Sequence, residues 1–176
     1  GDFGADVIKI EPPGAGDPNR VLPRLPGMPK TEHAYSWLLD NRNKRGIALD
    51  LAKPDGQAVL HRLAAQADVF ITNYPLAVRK KLALDYDRLA ALNERLVYAS
   101  FTGYGETGAE AAKPGFDATA YWARSGLMDL VRSDAGTAPA RGVAGMGDHP
   151  SGVSLFAAIV LALYQRERSG LGQEVQ

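Results

Sequence analysis

The chain contains no cysteine. Disulfides, thiolate zinc sites and a cysteine nucleophile are therefore excluded within its 176 residues. An excess of one charge is missing too: 20 Lys+Arg face 20 Asp+Glu. That balance argues against a nucleic-acid binder, which carries a basic surplus, yet leaves room for local basic patches facing a small anion. Long apolar runs are also absent. The longest, around Val153 to Tyr164, is shorter than a membrane span, and no signal peptide is read. A soluble, cytoplasmic domain with a sizeable core is the expectation. The chain opens on Gly1 rather than Met, so it is expected to be a fragment of a longer polypeptide.

Several chemistries lack their motifs. His33, His61 and His149 are scattered, with neither H-x-x-x-H nor H-E-x-x-H, so no metal site is expected. His61 falls on the polar side of a helical stretch and reads as solvated. No G-x-S-x-G elbow and no P-loop occur. "GYGETG" (Gly103–Gly108) matches the dinucleotide pattern, but Pro114 and Gly115 follow too soon for the helix that pattern requires. A flexible glycine turn is the better reading.

What is present alternates. "ADVIKIE" (Ala5–Glu11) suits a buried strand. A stretch rich in Pro and Gly follows (residues 12–29) and reads as a long loop, with neither helix nor central strand. "RGIALDL" (Arg45–Leu51) alternates as a strand does, and "KPDGQAVLHRLAAQAD" reads as a helix with Pro54 in its first turn. "VFITN" (Val69–Asn73) and "LVYASFTGY" are strands separated by two short helices. "FDATAYWARSGLMDLV" reads as mostly helical. The closing "PSGVSLFAAIVLALYQRERSG" is a helix apolar on nearly all sides, expected to be buried, and stopped at Gly170. Strands alternating with helices imply an α/β fold, a Rossmann-like, mainly parallel sheet flanked by helices.

Three features point to chemistry. "NRNKR" places Arg42, Lys44 and Arg45 before a strand; "VRKK" places Arg79, Lys80 and Lys81 after the strand ending near Asn73 and Tyr74. Ligands of parallel sheets bind beyond the carboxyl ends of strands, although a solvated helix face is the commoner use of such clusters. In "GMGDHPSG" (Gly145–Gly152), Asp148 precedes Pro150 at the start of the apolar helix. A helix cap explains that pattern. The helix dipole that favours a cap also keeps a carboxylate ionised, and an ionised carboxylate beside glycines can attack an acyl carbon. Both readings stand on these residues alone.

Taken in order, "GADVIKIEPPGAGDP", "DNRNKRGIALDL", "ADVFITNY", "LVYASFTGYGETG", "KPGFDATAYWARSGLM", "GMGDHPSG" and "ALYQRERSGLGQEV" resemble the family III CoA-transferases, the CaiB/BaiF and formyl-CoA transferase group. The resemblance spans nearly the whole chain. It implies a Rossmann-like large domain over residues 1–176, lacking the family's opening strand and the second, smaller domain of the full chain. It implies an interlocked homodimer, and acyl-CoA and a carboxylic acid as substrates, with coenzyme A a substrate rather than a permanent cofactor. Asp148 then matches the family's nucleophile, passing through a mixed anhydride and an aspartyl-CoA thioester, with backbone amides near Gly147 and the helix start stabilising developing charge. Leu49, Asn73 and Tyr74 match positions beside the nucleotide, Lys81 one that meets phosphates, and Phe116 an aromatic position near the pantetheine arm. Pro12 and Ala52 depart from the formyl-CoA transferases, which carry Arg and Lys there, although Lys53 adjoins Ala52. "AYWARSG" resembles the branch acting on aryl or 2-hydroxy acids; at helical spacing Tyr121 and Trp122 equally suit a core. Two alternatives remain. One is an acyl-CoA racemase or isomerase, disfavoured because Phe116 stands where racemases have a proton-transferring His. The other is a non-catalytic CoA-binding relative.

Overall fold

A computed structural model describes every residue of the chain except Gly27 and Arg141. It divides into two units, Gly1–Leu60 and His61–Gln176.

In the first unit, β1 (Val7–Glu11) and β2 (Lys44–Ala48) pair in parallel, from Val7 opposite Lys44 to Glu11 opposite Ala48. The second strand ends before the Leu51 expected from alternation, although Leu49 still donates its N–H to the Glu11 carbonyl at 3.0 Å. A two-stranded ribbon leaves faces and edges open, which is why β1 is only half-buried rather than buried as expected. The Pro-rich stretch is not all loop. A 3-10 helix spans Pro18–Arg24, capped by Asp17, whose carboxylate accepts the Asn19 N–H at 2.8 Å. Proline's fixed φ suits so short and tight a turn; what proline forbids is a longer α-helical ladder. Gly27, later in that stretch, lies outside the described residues.

Glu11 anchors this segment. It accepts bonds from the Asp17 N–H (2.9 Å) and from Arg20 (2.8 and 3.0 Å), and Lys9 pairs with Asp17 at 2.6 Å. The Arg20 hydrogen bond does most to hold the Glu11 carboxyl at about 2, against the opposing effect of burial. The Arg20 guanidinium also lies 3.7 Å over the Trp37 ring, in the helix α1 (Tyr35–Asn41) that alternation does not signal. Beyond β2, α2 (Pro54–Ala64) begins with proline at its first position, as its sequence implies.

In the second unit, β3 (Val69–Thr72), β4 (Val97–Ser100) and β5 (Glu174–Val175) form a parallel sheet with β4 in the middle. All four β4 residues are buried. Tyr98 is its hub: its ring stacks on Phe70 (centroids 5.4 Å apart) and meets Tyr86 edge-on (5.7 Å), among Ala64, Leu89 and Leu96. Helices α3 (Leu76–Lys81) and α4 (Tyr86–Ala90) fill the β3–β4 crossover, as the sequence implies. Between them the buried Ala83 takes φ +60°, and its carbonyl meets His61 Nε2 at 2.9 Å. His61 is thus an anchoring group, not the solvated side chain expected.

The segment after β4 holds a π-helical turn, Asp117–Ala123, and a short α5 (Leu127–Leu130). The closing helix α6 (Asp148–Ser169) stops at Gly170, with φ +77°. It is not buried all round. Ile159, Ala162 and Arg166 form one covered stripe, while Val153, Leu161 and Tyr164 remain exposed. A three-stranded sheet covers one side of a helix, and composition says nothing of how many sides have a partner. Arg166 is no terminal decoration either: it reaches the Arg95 carbonyl (3.1 Å) and the Asp68 carboxylate (2.8 Å).

Candidate active site

Asp148 is the first residue of α6, and Gly147 before it occupies the cap position with no side chain to offer. Asp148 is therefore not the N-cap. Its carboxylate lies exposed in the first turn, where the helix dipole favours the ionised form.

The loop ahead of it is held by a second carboxylate, for which no local sequence pattern implies a role. Asp117 accepts the Gly145 N–H on one oxygen and the Gly147 N–H on the other, each at 2.8 Å. Gly145 has φ +84°, a backbone that other residues rarely adopt. At Gly147 the constraint is space: a Cβ there would stand 2.2 Å from Asp117 Oδ1 and 2.5 Å from Tyr121 Cγ. A Cβ on Gly142 would likewise strike the Trp122 ring at 2.2 Å. Trp122 is buried, so the core reading of that residue holds. Two glycines thus let the loop close onto the π-helical turn, and Asp117 fastens it there.

Amides near Gly147 and at the helix start are expected to stabilise developing charge; of these, the Gly145 and Gly147 amides already donate to Asp117. Asp117 could have been suspected from its place at the start of a helical segment. Nothing local signals that its partners lie 28 and 30 residues onward.

Phe116 adjoins Asp117 and is 72% exposed, its backbone fixed by Thr119, whose hydroxyl accepts the Phe116 N–H at 3.0 Å. Phe116 and Asp148 are therefore gathered by one clamp. Asn73, Tyr74 and Lys81 form a separate group at the carboxyl end of β3. Asn73 and Tyr74 make the turn after the strand, with the Tyr74 N–H donated to Thr72 Oγ1 at 3.2 Å. Lys81 is exposed as the last residue of α3. Leu49 lies in the first unit, directly after β2, and is half-buried.

The basic clusters divide differently from expectation. Lys44 and Arg45 lie within β2, and Arg45 pairs with Asp6 (2.6 Å) while Arg42 pairs with Asp2. Arg79 is not on a solvated face. It is fully buried, with Nε donating to the Tyr74 carbonyl (2.9 Å), another nitrogen to the Tyr98 hydroxyl (3.3 Å) and a third to Glu106. Burial opposes its charge, but the hydrogen bonds to Tyr98 and Glu106 outweigh that and raise its pKa. Burial likewise raises the Tyr98 phenol. Glu106 belongs to "GYGETG", where Gly105 and Gly108 take φ of +77° and +89° and no helix opens, as expected of a turn. No cluster of three or more His, Asp or Glu suited to a metal gathers among the described residues. No described helix is long and apolar enough to cross a membrane.

The chain is similar to known proteins along its length. The CoA-transferase family III model matches residues 1–176. A cinnamoyl-CoA:phenyllactate CoA-transferase of Clostridium sporogenes is 41% identical over 175 residues, covering 99% of this chain and 42% of that protein. An (R)-2-hydroxy-4-methylpentanoate CoA-transferase of Clostridioides difficile is 38% identical over 176 residues, covering 99% and 44%. The crystal structure of a CaiB/BaiF family protein from Brucella suis matches with a TM-score of 0.85 at 36% identity, over 99% of this chain and 46% of that one. The chain thus spans less than half the length of these relatives. The family model matches the whole chain and relatives in sequence and structure cover 99% of it, so the chain belongs to CoA-transferase family III.

Proposed function

We propose that the protein carrying this chain transfers CoA between an acyl-CoA and a free carboxylic acid, with Asp148 as nucleophile. The observation that carries this reading is the exposed carboxylate on the first turn of α6, behind a loop that Asp117 locks in place. Orientation of this kind lowers the entropy cost of attack.

The steps balance as follows. An Asp148 oxygen attacks the thioester carbonyl, the C–S bond breaks, and CoA leaves as thiolate, giving a mixed anhydride. The thiolate then attacks the aspartyl carbonyl, releasing the donor acid and leaving an aspartyl-CoA thioester. The acceptor carboxylate attacks that thioester, forming a second anhydride and freeing the thiolate. The thiolate finally attacks the acceptor's acyl carbon, producing the new acyl-CoA and restoring Asp148. Each step exchanges one acyl bond for another of similar reactivity, which is the advantage of covalent catalysis here.

Coenzyme A is a substrate in this scheme, and no permanent cofactor is invoked. Asn73, Tyr74 and Lys81, at the carboxyl end of β3, and Leu49 after β2 are the residues assigned to the nucleotide end. Exposed Phe116 is assigned to the pantetheine arm. The names of the two clostridial relatives support a 2-hydroxy carboxylic acid as acceptor. Residues 1–176 are read as part of a Rossmann-like large domain of a cytoplasmic enzyme, working as an interlocked homodimer. Phe116 has no proton to transfer, which speaks against racemisation.

Mass spectrometry tests the reading. The whole protein, mixed with a donor acyl-CoA, gains the mass of an acyl or CoA adduct, and the Asp148→Ala protein gains none. Transfer that survives in Asp148→Ala removes the assignment. Deuterium uptake at the substrate α-carbon without an acceptor acid replaces transfer with isomerisation.

A further inference from the structure

Arg79 is the largest fully buried side chain among the described residues, yet its hydrogen bonds to Tyr74, Tyr98 and Glu106 all leave its own helix. One reaches the Tyr74 carbonyl in the turn after β3, one the Tyr98 hydroxyl inside β4, and one Glu106 in the glycine turn after β4. The Tyr98 hydroxyl in turn donates to the Leu84 carbonyl at 2.8 Å. One cation therefore ties together the two turns at the carboxyl ends of adjacent parallel strands, where ligands of such sheets bind. Apolar packing would hold two strands as well and at no desolvation cost, so a buried guanidinium here needs a reason beyond cohesion.

Its partner supplies one. Glu106 is a carboxylate at a mouth that, on the function proposed above, must admit a polyanionic nucleotide. Arg79 draws it inward, so that its side chain is 10% exposed, while Lys80 and Lys81 on the same helix stay exposed. We propose that Arg79 is a positioning residue for the nucleotide end of a CoA thioester: it sets the backbone of the Asn73–Tyr74 turn and withdraws the Glu106 charge from the mouth. It does not touch the phosphates itself.

The inference rests on the transferase reading, and CoA binding separates the two. The whole protein is titrated with CoA by calorimetry and assayed for transfer, as wild type and as Arg79→Lys, Arg79→Met, Glu106→Gln and the double variant Arg79→Met/Glu106→Gln. Arg79→Lys raises KM for the acyl-CoA and Kd for CoA about tenfold, with kcat within about threefold, because lysine keeps the charge and loses the fork. Arg79→Met weakens CoA binding further, and adding Glu106→Gln recovers part of that loss, since no carboxylate is then released. Glu106→Gln alone leaves Kd within about threefold. Unchanged Kd in folded Arg79→Lys and Arg79→Met proteins, or losses that follow only the unfolded fraction seen by circular dichroism, overturn the proposal. If Arg79→Met does not fold, Arg79→Lys decides. A wild-type protein that binds CoA without transferring it defeats the transferase reading and leaves the Kd series to judge Arg79; one that does not bind CoA defeats both.

Discussion

Asp117 and Gly147 are joined by a 2.8 Å hydrogen bond in a space that no side chain on Gly147 could share. The same carboxylate holds Gly145, so the residue before Asp148 and the one three before it have a common anchor. Asp117→Ala releases both amides. Loss of alignment at Asp148 lowers kcat by about 100-fold, and the two orphaned donors cost about 1–3 kcal/mol of stability. Steady-state kinetics beside urea unfolding measures both. A stable Asp117→Ala enzyme with wild-type kcat shows that the clamp is irrelevant to the reaction.

Asp148→Asn separates chemistry from folding. Asparagine keeps the shape and loses the charge that the helix dipole favours, so stability falls by no more than about 1 kcal/mol. Turnover falls by about 1000-fold or more, the scale on which nucleophile loss is felt. The informative comparison is a melting curve beside a transfer assay. Parallel loss of both means that Asp148 is structural.

Lys81→Ala is expected to raise KM for the acyl-CoA about three- to tenfold, with kcat nearly unchanged, if Lys81 meets phosphates. The penalty shrinks as salt is added, because screening weakens the wild-type contact first. KM measured across a salt series checks this. An effect that salt leaves untouched points away from an exposed ion pair.

Arg166→Met breaks the tie from α6 to Asp68 and to the Arg95 carbonyl. Removing a buried cation's bonds while stranding their acceptors costs about 2–3 kcal/mol. Denaturant midpoints give the value, and a neutral result assigns the tie no role in stability.

Acid should loosen the first unit through Glu11. Its folded pKa of about 2 lies below the ordinary 4.5, so the folded state binds the proton more weakly than the unfolded chain does. Its contribution is complete above pH 4.5 and fades as pH falls towards about 2. Glu11→Gln removes that part of the pH dependence. Unfolding followed between those values, with Arg20→Met as companion, detects it. Identical acid curves for wild type and Glu11→Gln rule it out.

Most of the strand and helix order was legible because period and punctuation are local. Pro54 opens α2 and Gly170 closes α6 as the residues imply. The failures share one cause, which is that local patterns do not reveal distant partners. Arg79 reads as one of three surface cations until Glu106 and Tyr98 come together around it. His61 reads as polar-face decoration until Ala83 turns its carbonyl towards it. The ordered motifs single out Asp148 as the candidate nucleophile. Asp117, which fastens the loop before it, sits in one of those same motifs and has no signature of its own. The apolar surplus of α6 shows the converse: hydrophobicity says that a face wants cover, not that the cover is present.

Gly103 and Gly115 meet backbone to backbone, so a Cβ on either would stand 2.5 Å from the other's Cα. That contact has a practical bearing on redesign. Anyone diversifying residues 104–114 is varying a loop stitched shut at its neck. Substitutions between the two glycines reshape its tip and leave Phe116 and Asp117 in register. A single methyl at either neck position shifts the loop, the aromatic and the clamp together. Libraries that keep both glycines and vary what lies between them explore the loop's surface; those that do not mainly explore misplacement.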